Sequence, residues 1–170
     1  MIIGAIFAAA LFVVPPHARA ESGVDNSTAV IFVYQRVGED SVAQSNISLE
    51  QFKEHITELT KGGYSVLPLP KIIDAFKNGD TLPPHTIGLT FDGAYQATLA
   101  NAAPLLEDAK LPFTVFFASD MADGGNPSHM NWSQIKKLKK DPLVSFGILP
   151  AAYEHMPSQT AEQNSTLINK

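Results

Sequence analysis

The chain has 170 residues, 45% of them hydrophobic, with 12 basic against 17 acidic side chains, a formal net charge of -5 and no cysteine. That length lies within the range of one domain able to bury a core, and the apolar content excludes a disordered chain. The lack of cysteine excludes a disulfide framework, thiol catalysis and a thiolate metal site, and an acidic balance without a Lys/Arg stripe argues against a nucleic-acid partner.

In chain order, Ile2 to Val14 is an apolar stretch of signal-sequence length, and Ala18-Arg19-Ala20 supplies a small-x-small cleavage pattern before Glu21. The stretch is too short for a stable membrane span. Residues 1–20 are therefore expected to be a signal peptide and 21–170 the exported part, periplasmic or extracellular. Beyond it, apolar runs alternate with amphipathic segments, the pattern of βαβ units and a parallel sheet. Strands are expected at Ala29 to Tyr34, Ser65 to Leu69, Ile87 to Phe91, Phe113 to Ala118 and Leu143 to Ile148. Helices are expected at Leu49 to Lys61, Leu69 to Asn78, Ala97 to Lys110, Trp132 to Lys140 and from Gln159 onward. Ser48 with Gln51 forms a capping-box pattern, and Gly62-Gly63 stops the helix it opens. The one basic run, Lys136-Lys137-Leu138-Lys139-Lys140, reads as the solvated last turn of a helix, where cations complement the dipole.

Chemistry concentrates at Ile87-Gly88-Leu89-Thr90-Phe91-Asp92-Gly93-Ala94-Tyr95, an apolar run ending on a carboxylate and a glycine. A continuous apolar run marks a strand buried on both faces, and in parallel α/β folds chemistry sits just beyond the carboxyl ends of such strands. Asp92 occupies that end. From spacing alone it is either a helix N-cap or a catalytic carboxylate.

The segment from Leu89 through Met121 resembles the polysaccharide deacetylase family, also described as carbohydrate esterase family 4 or the nodulation-type chitooligosaccharide deacetylase domain. The residues that carry the resemblance are Thr90-Phe91-Asp92-Gly93-Ala94-Tyr95 and Pro112-Phe113-Thr114-Val115-Phe116-Phe117, with Val33-Tyr34-Gln35-Arg36-Val37 upstream, where many relatives carry Tyr-His-Arg. The resemblance implies an α/β fold, a partial distorted (β/α) barrel. It also implies hydrolysis of N-acetyl groups on N-acetylglucosamine-type glycans, with Asp92 as the catalytic general base and Tyr95 as a substrate-binding residue.

The family binds zinc or another divalent metal through a second Asp and a His-Ser/Thr-x-x-His pair. In register these positions hold Gly93, Leu149 and Tyr153. A catalytic zinc needs about three protein ligands and an open position for water. Leucine and glycine offer no donor, and a phenol with pKa near 10 is a poor substitute for imidazole. No metal ligand and no cofactor are therefore expected here, and the family activity is expected to be impaired. A relocated site using Asp92 and His155 has two obvious ligands. His129 is a loop histidine of the same ambiguity, whereas His85 falls at the amino end of its strand and His55 on a helix surface.

A barrel of this kind needs upwards of about 200 residues, and the family's later motifs have no counterpart here, so the expectation is an N-terminal part of the domain. A glycan is the expected ligand, and a partner chain completing the barrel a possible associate. Two alternatives stand beside the impaired deacetylase: a non-catalytic glycan-binding homologue with an aromatic groove near Tyr95, Trp132 and Tyr153, and an incomplete gene product.

Overall fold

The computed structural model describes residues 28–39, 45–123, 126–150 and 158–168. Its strands are β1 (Ala29–Tyr34), β2 (Arg36–Val37), β3 (Asn46–Ile47), β4 (Ser65–Val66), β5 (Thr86–Asp92), β6 (Phe113–Phe117) and β7 (Val144–Ile148). Its helices are α1 (Leu49–Lys61), α2 (Leu69–Asn78), α3 (Ala103–Asp108), α4 (Ser119–Ala122), α5 (Trp132–Leu138) and α6 (Ala161–Ile168).

The main sheet is parallel in the order β1-β5-β6-β7, with β4 also paired to β5. β5 becomes its centre because six of its seven residues carry no charge and are buried, so both faces can be covered. Only Asp92, the last, is partly exposed. Outside this sheet, β2 and β3 form a small parallel pair that starts one residue beyond β1. Among the described residues the sheet stays open, as expected of a partial (β/α) barrel, and no helix is long and apolar enough to cross a membrane.

Phe91 is the hub of the core. Its ring stacks on Tyr34 at 5.2 Å and meets Phe52 of α1 and Phe113 of β6 edge-on at 6.1 and 5.7 Å. Offset and edge-to-face pairs of this kind add to the burial of large apolar area. Leu89, Leu106 and Val115 extend the same cluster. Tyr34 is the polar exception, and its hydroxyl pairs with His55 Nδ1 at 3.1 Å. His55 is exposed, as its helical register requires.

Local signals account for most element ends. The Ser48 side chain accepts from the Gln51 N–H while the Gln51 side chain accepts from the Ser48 N–H, closing the expected capping box of α1. Asn131 with Gln134 does the same for α5, and Thr160 with Gln163 for α6. β4 is shorter than the expected Ser65 to Leu69. The Leu67 N–H still bonds the Ile87 carbonyl, but Pro68 has no N–H to continue the ladder and instead precedes the first turn of α2.

The single helix expected over Ala97 to Lys110 is divided. Thr98–Ala102 is a π-helical turn in which the Ala103 N–H reaches back five residues to the Thr98 carbonyl, and α3 begins after it. Pro104 is the cause. A proline ring clashes with the carbonyl four residues back and offers no N–H, and widening the preceding turn accommodates both defects.

At the other end of α3, Lys110 holds φ 56°, its N–H bonding Glu107 and the next N–H reaching the Leu106 carbonyl. This is the left-handed helix stop that glycine fills without steric cost. Lys110→Gly is accordingly expected to stabilise the protein by about 0.5–1 kcal/mol, the steric relief exceeding the added unfolded-state entropy. Thermal melts should show a rise of about 1–4 °C; an unchanged or lower midpoint would contradict the assignment.

Candidate functional site

The site forms where β5 stops. Asp92 pairs in register with Phe116 of β6, and Phe116 with Gly147 of β7, so the three carboxyl ends lie level across the sheet. Immediately beyond, the backbone turns through two consecutive left-handed residues, Gly93 at φ 94° and Ala94 at φ 48°. The Gly93 N–H is held by the Phe116 carbonyl at 3.0 Å, and the Met130 N–H is held by the Ala94 carbonyl at 2.8 Å. The turn is thus fixed from both sides before the helical segment starts. The helical run begins at Gln96, and Ala97, which stands before its π-helical turn, gives that turn no side-chain cap.

Burial of Asp92 raises its carboxyl pKa above the ordinary carboxylate value. Desolvation disfavours the ionised form, and no compensating partner enters among the causes of the shift.

Tyr95 is 5% exposed and bridges to His129. Its ring lies 4.4 Å from the His129 ring, and the Arg36 guanidinium sits 3.8 Å over it. Arg36 also pairs with Glu39 at 2.7 Å. Burial acts to lower the Arg36 pKa, but Glu39 and Tyr95 more than reverse that, holding the guanidinium charged. His129 is buried, with Ser128 Oγ 3.0 Å from Nδ1. Beside it, Gln96 donates to the His129 carbonyl and exchanges reciprocal amide bonds of 2.9 Å with Gln134. This tier ties the start of β2 to the segment after Asp92 and the start of α5. Trp132 packs edge-on against Phe117 at 5.3 Å and donates Nε1–H to Asp123 at 2.8 Å.

The remaining sequence candidates fall as follows. Leu149 lies two residues past Gly147, its N–H bonded to the Phe117 carbonyl at 2.8 Å, so position 149 stands at the carboxyl end of β7. The Phe116 ring occupies the space that a side chain at Gly147 would take. His85 precedes β5, at the opposite end from Asp92, with its ring against Tyr64. Tyr153 and His155 lie outside the described residues, as do residues 1–20. The Arg36 and His129 contacts with Tyr95 escaped sequence reading, because they join segments 59 and 34 residues from Tyr95 and carry no motif. The described residues gather no cluster of three or more His, Asp or Glu side chains. Among the described residues, Gly93 and Leu149 offer no donor to the divalent metal that the family resemblance implies.

The family model for polysaccharide deacetylase matches residues 79–170, more than half of the chain. The chain belongs to the polysaccharide deacetylase family. Its fold is similar to that of a de-N-acetylase from Aggregatibacter actinomycetemcomitans, at 21% identity and TM-score 0.64, over 72% of this chain and 54% of that one. It is also similar to the deacetylase PplD of Streptococcus pyogenes, at 17% identity and TM-score 0.70, over 82% and 64%. A third likeness is to IcaB from Ammonifex degensii, at 24% identity and TM-score 0.64, over 74% and 53%. The matched part therefore amounts to between 53% and 64% of each of these proteins. Comparison with curated protein sequences gave no match.

Two outcomes follow from the turn and its carboxylate. Because the Asp92 pKa is raised in the fold, its contribution favours folding below the unfolded-state pKa near 4 and is lost as pH rises through the folded value. Asp92→Asn should therefore melt higher than the native protein at pH 7 and level with it near pH 3; a lower midpoint at pH 7 would show a stabilising partner for the carboxylate. At Gly93, φ 94° is strained for any L side chain and the position is buried. Gly93→Asp should cost at least about 1–2 kcal/mol, read as a lowered melting midpoint, and more than that at neutral pH, where a second carboxylate adjoins Asp92.

Proposed function

We propose that this protein is an exported member of the polysaccharide deacetylase family that engages N-acetylated glycan at the carboxyl end of its sheet, with the zinc-dependent turnover of the family impaired. The observation that carries the reading is Asp92: a half-buried carboxylate of raised pKa at the end of the central strand, flanked by Gly93 and level across β6 with Gly147, two residues before Leu149. Asp92 is the proposed base. Tyr95 belongs to the site by its family register, and with its ring under Arg36 its part is to hold the turn that presents Asp92.

Export rests on residues 1–20, whose apolar run and Ala18-x-Ala20 pattern fit a cleaved signal. The open sheet supports a further element of the reading, a partner chain that completes the barrel. Val30 and Val33 of β1 and Ile148 of β7 are 56%, 60% and 77% exposed, apolar side chains on the two outer strands of the path.

A glycan-binding protein without any hydrolysis is the second reading, favoured by the same missing donors. The two are separated by measuring acetate release from an N-acetylglucosamine oligomer, with and without added zinc, together with metal content after dialysis. The expected outcome is no detectable acetate and less than one zinc per chain. Turnover by the native chain that Asp92→Asn abolishes and a chelator leaves untouched would establish a metal-independent hydrolase instead. One tightly held zinc per chain would overturn the account of the donors.

A further inference from the structure

β1 is an outer strand of the sheet, bonded through Ala29–Tyr34 to β5 alone among the described residues. An outer strand presents a row of N–H and C=O groups to whatever lies beside it, and proteins usually blunt such an edge with lysine, proline or a bulge. β1 has none of these. Its six residues are uncharged and pair one to one with β5 in unbroken register. Val30, Ile31, Phe32 and Val33 are 56%, 38%, 40% and 60% exposed, so apolar surface is open on both faces of the strand.

On the face turned toward α1, an open pocket of about 140 Å³ adjoins this edge. Phe32, Leu59, Tyr64 and Ile87 line it together with the exposed His55 and Glu58. A cavity of about 150 Å³ walled by Leu, Ile and Phe holds one benzene ring, so this pocket has the size and lining for one phenyl side chain. Ile87 pairs with Val30 in the β1–β5 register, which sets the pocket beside Val30. Its occupant needs an uncharged extended strand with a phenyl group level with that valine.

β1 is itself such a strand. Two copies related by a two-fold axis meet edge to edge only in antiparallel, and residues opposite one another then point to the same face. With Ile31 on the axis, Ile31 meets its own copy, and Phe32 of each strand comes opposite Val30 of the other, within reach of the pocket. No like charges oppose one another in this arrangement. Six residues span about 20 Å. The strip they cover is on the order of 500 Å² per copy, which just reaches the total of about 1,000 Å² that a specific interface needs, so the association is weak and reversible.

We propose that β1 is a self-association edge, through which two copies of this chain pair antiparallel over Ala29–Tyr34, each seating Phe32 in the pocket beside Val30 of the other. The inference rests on the reading that the open sheet takes a partner chain; it names that chain as a second copy and places it on β1.

The test is sedimentation of the full 170-residue chain over roughly 1 to 100 µM, the range of a weak specific complex. The native chain should pass from a monomer of 18.3 kDa to a dimer. Val30→Lys should dimerise at least tenfold more weakly with an unchanged melting midpoint, because the residue is exposed and lysine blunts an edge. Ile148→Lys, on the opposite outer strand, should dimerise as the native chain does. Since the chain has no cysteine, a single introduced one reports the register. Ile31→Cys should form a disulfide-linked dimer in air, opposed Cα atoms lying about 4.5–5.5 Å apart, whereas Val33→Cys, which would face Ala29, should stay a thiol. Dimerisation indifferent to Val30→Lys, dimerisation lost in Ile148→Lys instead, or cross-linking at position 33 would each overturn the proposal. A native chain that stays monomeric would overturn it too, and hydrogen exchange then decides the reading beneath. Fast exchange of the β1 amides that β5 does not bond would leave the edge open to a different chain, and protection of those amides in the monomer would overturn both.

Discussion

The packing of β5 is the constraint on which the rest depends. A strand buried on both faces can lie only between other layers, and Phe91 makes that burial specific by meeting one ring from β1, one from α1 and one from β6. Truncating such a phenylalanine typically costs about 3–5 kcal/mol, a large part of the net stability of a single domain. Because side chains alternate along a strand, fixing Phe91 toward the helices also fixes its neighbours Thr90 and Asp92 on the other face. The same contact that closes the core therefore aims the carboxylate.

What the carboxylate meets there is decided by the turn. Two successive left-handed residues end β5 abruptly, and both are held by backbone bonds to β6 and to the segment before α5. Glycine at the first of them removes the steric objection and, with it, any side-chain donor next to Asp92. Restoring a donor at 93 thus conflicts with the backbone that presents Asp92. That coupling links local geometry to chemistry in a way the sequence register alone does not reveal.

Elements whose cause is local were legible in the sequence. The spans of β1, α1 and α2 follow from apolar periodicity, the Ser48 capping box and the glycines after each helix. Asp92 at the end of a buried strand was legible for the same reason. Features that need two distant segments were not. The β2–β3 pair is too short for a periodic signal, and Pro104 acts on carbonyls before it rather than on the residues a helix pattern counts. His129 reads as an ambiguous loop histidine, yet it is buried against Tyr95, because its environment comes from packing that no spacing encodes.

Magnitudes decide what Asp92 could do as the proposed base. A zinc ion lowers the pKa of its water from about 15.7 to about 7, which at about 1.4 kcal/mol per unit amounts to roughly 12 kcal/mol of help in making a nucleophile. A raised carboxylate pKa makes Asp92 a stronger base, but each unit gained contributes only about 1.4 kcal/mol. Preorganised binding of an N-acetyl group beside Asp92 would add orientation, yet orientation does not acidify water. On the proposed reading, the burial that raises the Asp92 pKa strengthens a base without acidifying the water it would act on, so the site would be expressed in affinity for a glycan before it is expressed in rate.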